Sequence, residues 1–203
     1  VQELAKQKVP IHAVTGFEMG ALVAAIYANK GQPFDVEWQM MKLKEDDLLD
    51  KGFISGELKM GDAKQLQGFI SDTLQGAKME NARLPFACAA FNTDKNQTFM
   101  MNRGTYSQGL PYCLAFPPLF APYQKNVSSV FDVKAASDFL KSKGANYIVY
   151  VSVLGGGVKG AKISSEAQTL WSLMGHSLQK NLPGVDYMVS IPMAEYDIID
   201  FSK

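Results

Sequence analysis

The segment that most restricts what this chain can fold into lies between residues 11 and 31. Ile11-His12-Ala13-Val14-Thr15 is a short β-rich run that stops at Gly16. From Gly20 onward, Ala-Leu-Val-Ala-Ala-Ile-Tyr-Ala-Asn-Lys reads as a buried helix. Gly31 can close that helix in a left-handed conformation, and Pro33 beyond it cannot continue one. Only Gly16-Phe17-Glu18-Met19-Gly20 separates strand from helix. So sharp a turn sets its central residue, Glu18, over the helix N-terminus, the layout of a G-x-S-x-G nucleophile elbow. Taken alone, the two glycines fit a plain tight turn equally well. The apolar run Ala21–Ala28 is far shorter than the roughly 20 residues of a spanning helix.

The remaining pattern alternates helices and strands. A helix is expected over Phe34–Leu43, and Glu45-Asp46-Asp47 reads as a solvated turn. Asp62 is placed to cap a helix running to Leu74 and ended by Gly76, with Leu66, Phe69, Ile70 and Leu74 on one stripe. Leu84–Phe91 reads as a buried strand, paired across the turn at Asn92–Asn96 with Gln97–Met101. Residues 105–125 contain four prolines and many aromatics, which predicts an irregular apolar segment after at most a short helix. Asp132 caps a further helix to Lys143, with Val133, Ala136, Phe139 and Leu140 inward. Tyr147–Val153 has the continuous apolar, β-branched character of a strand buried on both faces in a parallel sheet. Ser164 or Ser165 begins a helix with a stripe of Ala167, Leu170, Trp171, Met174 and Leu178, and Tyr187–Ile191 is the last strand. The sum is an α/β chain, expected as one domain over residues 1–203 with a mainly parallel central sheet between two helix layers.

Several functions are excluded on composition. The chain has 20 basic and 20 acidic residues and no long cationic run, so nucleic acid is not the partner. Two histidines, His12 and His176, leave little material for a zinc site or a His-dependent triad, and no metal or cofactor is expected. Cys88 and Cys113 both stand in apolar surroundings and read as buried structural thiols. The chain opens on Val1-Gln2-Glu3-Leu4-Ala5-Lys6-Gln7-Lys8, which reads as the end of a helix, with neither a start Met nor a signal-peptide pattern.

Set against longer motifs, Val9-Pro10-Ile11-His12-Ala13-Val14-Thr15-Gly16-Phe17-Glu18-Met19-Gly20-Ala21-Leu22-Val23-Ala24-Ala25-Ile26-Tyr27-Ala28 resembles the elbow of the bacterial patatin-like lipid acyl hydrolases, IPIDAIVGTSAGALVAALYA. Leu84-Pro85-Phe86 through Asn92-Thr93-Asp94 is similar to the family strand ending in A-T-D. Pro117-Pro118-Leu119-Phe120-Ala121-Pro122 resembles S-I-P-G-x-F-P-P, and Gly144-Ala145-Asn146-Tyr147-Ile148-Val149-Tyr150-Val151 resembles G-A-D-V-V-I-A-V. Asp186–Pro192 and Ile198–Lys203 match D-V-V-I-R-P and L-L-D-F-S-R. The resemblance implies a patatin-like fold and a Ser–Asp dyad that needs no histidine.

The parts of that dyad are altered here. Glu18 occupies the nucleophile position, between the elbow glycines Gly16 and Gly20, and Ser128 falls where the family carries its dyad aspartate. The family's oxyanion strand, G-G-G-x-R-G, has no counterpart from Val1 onward. Asp132 is a substitute aspartate only across a four-residue deletion and reads better as a helix cap. Gly155-Gly156-Gly157-Val158-Lys159-Gly160 reads as a connection rather than a displaced oxyanion loop. A carboxylate attacking an ester would give a mixed anhydride, poorly suited to lipid hydrolysis, whereas at a helix N-terminus it gains roughly 0.3–1 kcal/mol.

The resemblance therefore implies a pseudoenzyme with no active catalytic residue, kept as a lipid-binding, regulatory or assembly module. A residual acyl hydrolase using Ser128, Ser129 or Ser55 and a structural subunit of a larger complex are the alternatives. The partners these readings imply are a lipid or membrane surface, another protein, or a second copy. The compartment stays open between cytoplasm and periplasm or envelope. Leu110–Tyr123 reads either as a surface for acyl chains or a partner, or as core.

Overall fold

The computed structural model describes residues 2–44, 61–117, 119–155, 165–193 and 196. In chain order the elements are α1 (Gln2–Lys6), β1 (Val14–Gly16), α2 (Met19–Lys30), α3 (Pro33–Met40), α4 (Leu66–Leu74), β2 (Phe86–Asn92), β3 (Gln97–Met101), α5 (Tyr106–Leu114), β4 (Asn126–Ser128), α6 (Val133–Ser142), β5 (Val149–Gly155), α7 (Ser165–Lys180) and β6 (Tyr187–Pro192). Helices and strands thus follow the order read from the sequence. Glu45–Asp47, Ser55, Ser164, residues 156–160 and Ile198–Lys203 lie outside the described residues.

The sheet departs from expectation. Strand β2 is the hub of a four-stranded mixed sheet, and β5 and β6 form a separate parallel pair. Only β1 runs parallel to β2; β3 and β4 are antiparallel to it. The cause is connection length, since β2 and β3 are joined by the tight turn at 93–96, which permits no parallel crossover. Strand β3 takes one edge of β2. Strands β1 and β4 share the other end to end, with Gly16 opposite Cys88 and Ser128 opposite Ala90. That arrangement positions the site.

Helix α2 is the centre of the larger core. Leu22, Ile26 and five further residues are buried around its circumference, as a helix without a polar face requires. It packs on β1, β2, α3 and α5, and Gly31 ends it at φ 79°, donating its N–H to Tyr27 O. Helix α5 takes up Tyr106–Leu114 of the segment expected to be irregular after at most a short helix, and carries Pro111 inside it. Proline has no N–H for the carbonyl of Ser107, and the Gln67 side-chain amide donates to that oxygen instead, at 3.1 Å. Leu110, Cys113, Leu114, Ala115, Phe116, Phe120 and Tyr123 are all buried, so of the two readings of Leu110–Tyr123 core packing holds.

A second cluster joins Phe116, Val130 and Val133 to Trp171, Met174 and Leu178, with Phe17, Tyr150 and Leu154 against it. It draws α7 onto one face of the β5–β6 pair. On the other face Val149, Val151, Val153 and Tyr187 are exposed. The expectation that Tyr147–Val153 is buried on both faces is corrected accordingly: among the described residues, helix cover is one-sided. Leu170 also proves exposed rather than part of the α7 stripe.

Candidate functional site

The turn from β1 into α2 has the strained geometry its sequence implied. Glu18 is the N-cap of α2, at φ 50° and ψ −134°. A side chain with a Cβ pays of order 1–3 kcal/mol to hold such a backbone, so the surroundings must enforce it. They do so through one N–H. The Glu18 amide donates to Cys113 O at 3.1 Å and to Ser128 Oγ at 3.0 Å. Ser128 in turn donates its own N–H to Ala115 O, which ties β4 to the end of α5. Glu18 and Ser128, 110 residues apart, meet because β1 and β4 converge on one edge of β2.

Both elbow glycines were assigned on their motif, but they do different work. A Cβ on Gly16 would overlap the carbonyl of Gly20 and stand 2.6 Å from Ala21 N. A Cβ on Gly20 would meet nothing within 4 Å.

The carboxyl of Glu18 is not held as a helix N-terminus would hold it. It accepts no capping hydrogen bond, and among the described residues it is in no ion pair. Desolvation therefore dominates, and burial pushes its pKa from the ordinary 4.5 up to about 7. The expectation of a comfortable carboxylate over the helix is not met, because the side chain accepts no N–H of α2 and burial disfavours its charge. Tyr150, half-buried on β5, has its phenol pushed up to about 12 by burial and by the nearby negative charge of Glu18. No sequence motif singles out Tyr150 for this site. Its proximity follows from the packing of Phe17 and Tyr150 against one apolar cluster.

The titration can be tested directly. Glu18 is neutral in the native state below its raised pKa, so native protein binds more protons than unfolded between pH 4.5 and about 7. Stability must fall as pH rises through that window and level off above it. Discounted for the remaining solvent contact of this half-buried group, the loss is about 2 kcal/mol. Glu18→Gln is expected to match the parent in urea melts at pH 4 and to exceed it by that amount at pH 8. Parallel pH profiles for the two proteins would refute the burial argument.

The other sequence candidates separate cleanly. Asp132 accepts the Ala135 N–H at 3.0 Å as N-cap of α6, its expected structural role. Ser129 is buried with its hydroxyl against Thr98 Oγ1 at 2.9 Å. Cys88 and Cys113 are buried as expected, but not as thiols: they form a disulfide between β2 and α5, with Cα atoms 5.9 Å apart. Neither sequence neighbourhood predicts that pairing, since strand β2 and helix α5 meet only in the fold. Among the described residues no group of His, Cys, Asp and Glu is placed to hold a metal, and no helix is long and apolar enough to cross a membrane.

The model of one family, described as patatin-like phospholipase, matches residues 1–132, from the first helix through the Glu18–Ser128 site to the cap of α6. No curated protein matches the chain.

Proposed function

The chain belongs to the patatin-like phospholipase family, and from that premise we propose that it is a non-catalytic member, retaining the fold as a lipid-binding, regulatory or assembly module. With this goes the proposal that both sheets are parts of one three-layer domain over residues 1–203. One observation carries the reading. The residue at the apex of the elbow is a carboxylic acid, and its amide N–H is already committed to Cys113 O and Ser128 Oγ. A serine there would form an ester that water can cleave, whereas Glu18 offers no such intermediate. Lipid, a protein partner and a second copy are the partners this reading admits.

A second reading has an observation of its own. Acid and hydroxyl stand at exchanged positions and meet through the Glu18 backbone N–H, so a carboxyl with its pKa raised to about 7 would have to swing onto the Ser128 hydroxyl to act as its general base. Against it, Ser128 is only 2% exposed, and its Oγ accepts an N–H rather than facing open solvent.

Fluorophosphonate probes separate the two, because they react only with activated serines. The expected result is no labelling and no hydrolysis of p-nitrophenyl esters above a Glu18→Ala control. Stoichiometric labelling at Ser128 would establish the exchanged dyad and overturn the non-catalytic reading. Glu18→Ser alone is expected to remain inactive, since it lacks a base. Glu18→Ser with Ser128→Asp restores both side chains, and weak esterase activity is expected provided an upstream oxyanion donor strand is present, each missing donor costing roughly 2.7–4 kcal/mol.

A further inference from the structure

Two asparagines stand in the Asn-x-Ser/Thr arrangement that N-linked glycosylation requires, Asn96-Gln97-Thr98 and Asn126-Val127-Ser128. The fold separates them. Asn96 is the last residue of the exposed turn between β2 and β3, at φ 51°, a left-handed conformation that asparagine tolerates better than most residues. The hydrogen bonds of that turn run through other groups, since Asn92 Oδ1 accepts the Lys95 N–H and Thr93 donates to Lys125 O. Among the described residues the Asn96 side-chain amide has no partner. Asn126 is the opposite case. It is 4% exposed, its Nδ2 donates to Tyr123 O and Gln124 O, and its Oδ1 accepts from Asn92. The residue two places upstream differs as well: Asp94 precedes Asn96, whereas Gln124 precedes Asn126. Oligosaccharyltransferases of the periplasmic class demand an acid at that place besides the hydroxyl two places downstream. In the fold Asp94 is bound only by Lys125, an exposed pair that water and salt screen. The Cys88–Cys113 bridge is the third observation, because disulfides persist in the oxidising compartments where N-glycans are transferred.

We propose that Asn96 is an N-glycosylation site, modified in an oxidising compartment from a polyprenyl-diphosphate-linked oligosaccharide, and that Asn126 is left bare. In the transfer, Asn96 Nδ2 attacks the anomeric carbon of the donor sugar and gives up one proton. A C–N bond forms, the bond from that carbon to the diphosphate oxygen breaks, and polyprenyl diphosphate leaves with the electron pair. Thr98 sets the order of events. In the folded chain its hydroxyl lies 2.9 Å from Ser129 Oγ, so it is taken. Ser129 follows 31 residues later, and until it arrives the Thr98 hydroxyl is free for the transferase. Modification therefore precedes closure of the fold, and a glycan on a water-facing turn does not obstruct that closure. On Asn126 it would break the hydrogen bonds that hold the buried amide. The inference is independent of what Glu18 and Ser128 do.

Trypsin makes the test direct, because it releases the two asparagines in separate peptides, residues 96–103 and 126–134. The full chain is exported to the periplasm of cells that carry an oligosaccharyltransferase and its lipid-linked donor, and its peptides are read by mass spectrometry. Added sugar mass is expected on 96–103 and none on 126–134. Asn96→Asp removes the acceptor nitrogen while keeping a residue that tolerates the left-handed turn, and Thr98→Val removes the hydroxyl. Each is expected to lower occupancy by about 10-fold or more, as is Asp94→Asn, whereas Thr98→Ser retains it. Matching thermal melts of Asn96→Asp and the bare parent separate loss of the acceptor from loss of the fold. Folded protein offered to the purified transferase should accept about 10-fold less sugar than reduced and alkylated chain, whose Thr98 is free. An unmodified 96–103 peptide in the exported parent would overturn the site. A glycan on 126–134 would overturn selection by burial and by Asp94, and equal modification of folded and opened chain would overturn the order of events.

Discussion

Gly16→Ala is expected to leave no folded protein under conditions where Gly20→Ala folds with stability equal to or slightly above the parent. The new methyl at position 16 would overlap the Gly20 carbonyl and press on Ala21 N at 2.6 Å, and all of these atoms are backbone. No side chain can rotate aside, so relief requires moving the start of α2 away from β1, and with it the best-buried helix of the core. Overpacking against movable side chains already costs about 1–3 kcal/mol. Displacing a helix start should exceed that and consume much of a typical stability of roughly 5–15 kcal/mol. Gly20 lies in the first turn of α2 with free space around its Cα, and alanine there gains up to about 1 kcal/mol of helix propensity. Far-UV circular dichroism and urea melts of both variants decide the matter. Equal losses at the two positions would mean that the steric argument is wrong and the motif glycines are equivalent.

Removing the Cys88–Cys113 bridge is expected to cost about 3.5 kcal/mol, the chain-entropy estimate for a loop closed across 25 residues. The effect should concentrate at the elbow. Cys88 is the register partner of Gly16, and Cys113 supplies the carbonyl that takes the Glu18 N–H. One covalent link therefore holds both sides of the turn. Cys88→Ala with Cys113→Ala should lower the urea midpoint, raise the m-value because the denatured chain without its crosslink exposes more surface, and speed hydrogen exchange of the Glu18 amide ahead of the rest of α2. Alkylation provides the chemical check. Neither cysteine should react with iodoacetamide in denaturant until a thiol reductant is added, and two free thiols in unreduced, denatured protein would show that the bridge does not form.

Most of the elements were legible because their signals are local. The helix from Met19 to Lys30 is announced by an unbroken apolar run and a glycine stop, and Asp62 and Asp132 announce their helices through side chains that reach backbone N–H groups two and three residues ahead. Strand β3 matched its predicted bounds, Gln97–Met101, because a polar turn separates it from an apolar strand. The register of elbow and serine was legible only through the family resemblance, which located Glu18 and Ser128 by motif order.

What the sequence by itself determined about this protein is the order of its elements, the tight turn with Glu18 at its apex, and the family to which residues 1–132 belong. Tertiary structure decided everything that depends on residues distant in the chain. It set the pairing of β4 with β2, the bridge from Cys88 to Cys113, the contact of Glu18 with Ser128 and the approach of Tyr150. The protonation of Glu18 belongs to this second group for a physical reason. Capping depends on atoms a few residues away, whereas the free energy of a carboxylate is set by whatever surrounds it in space, and here apolar neighbours strip part of the water from its charge.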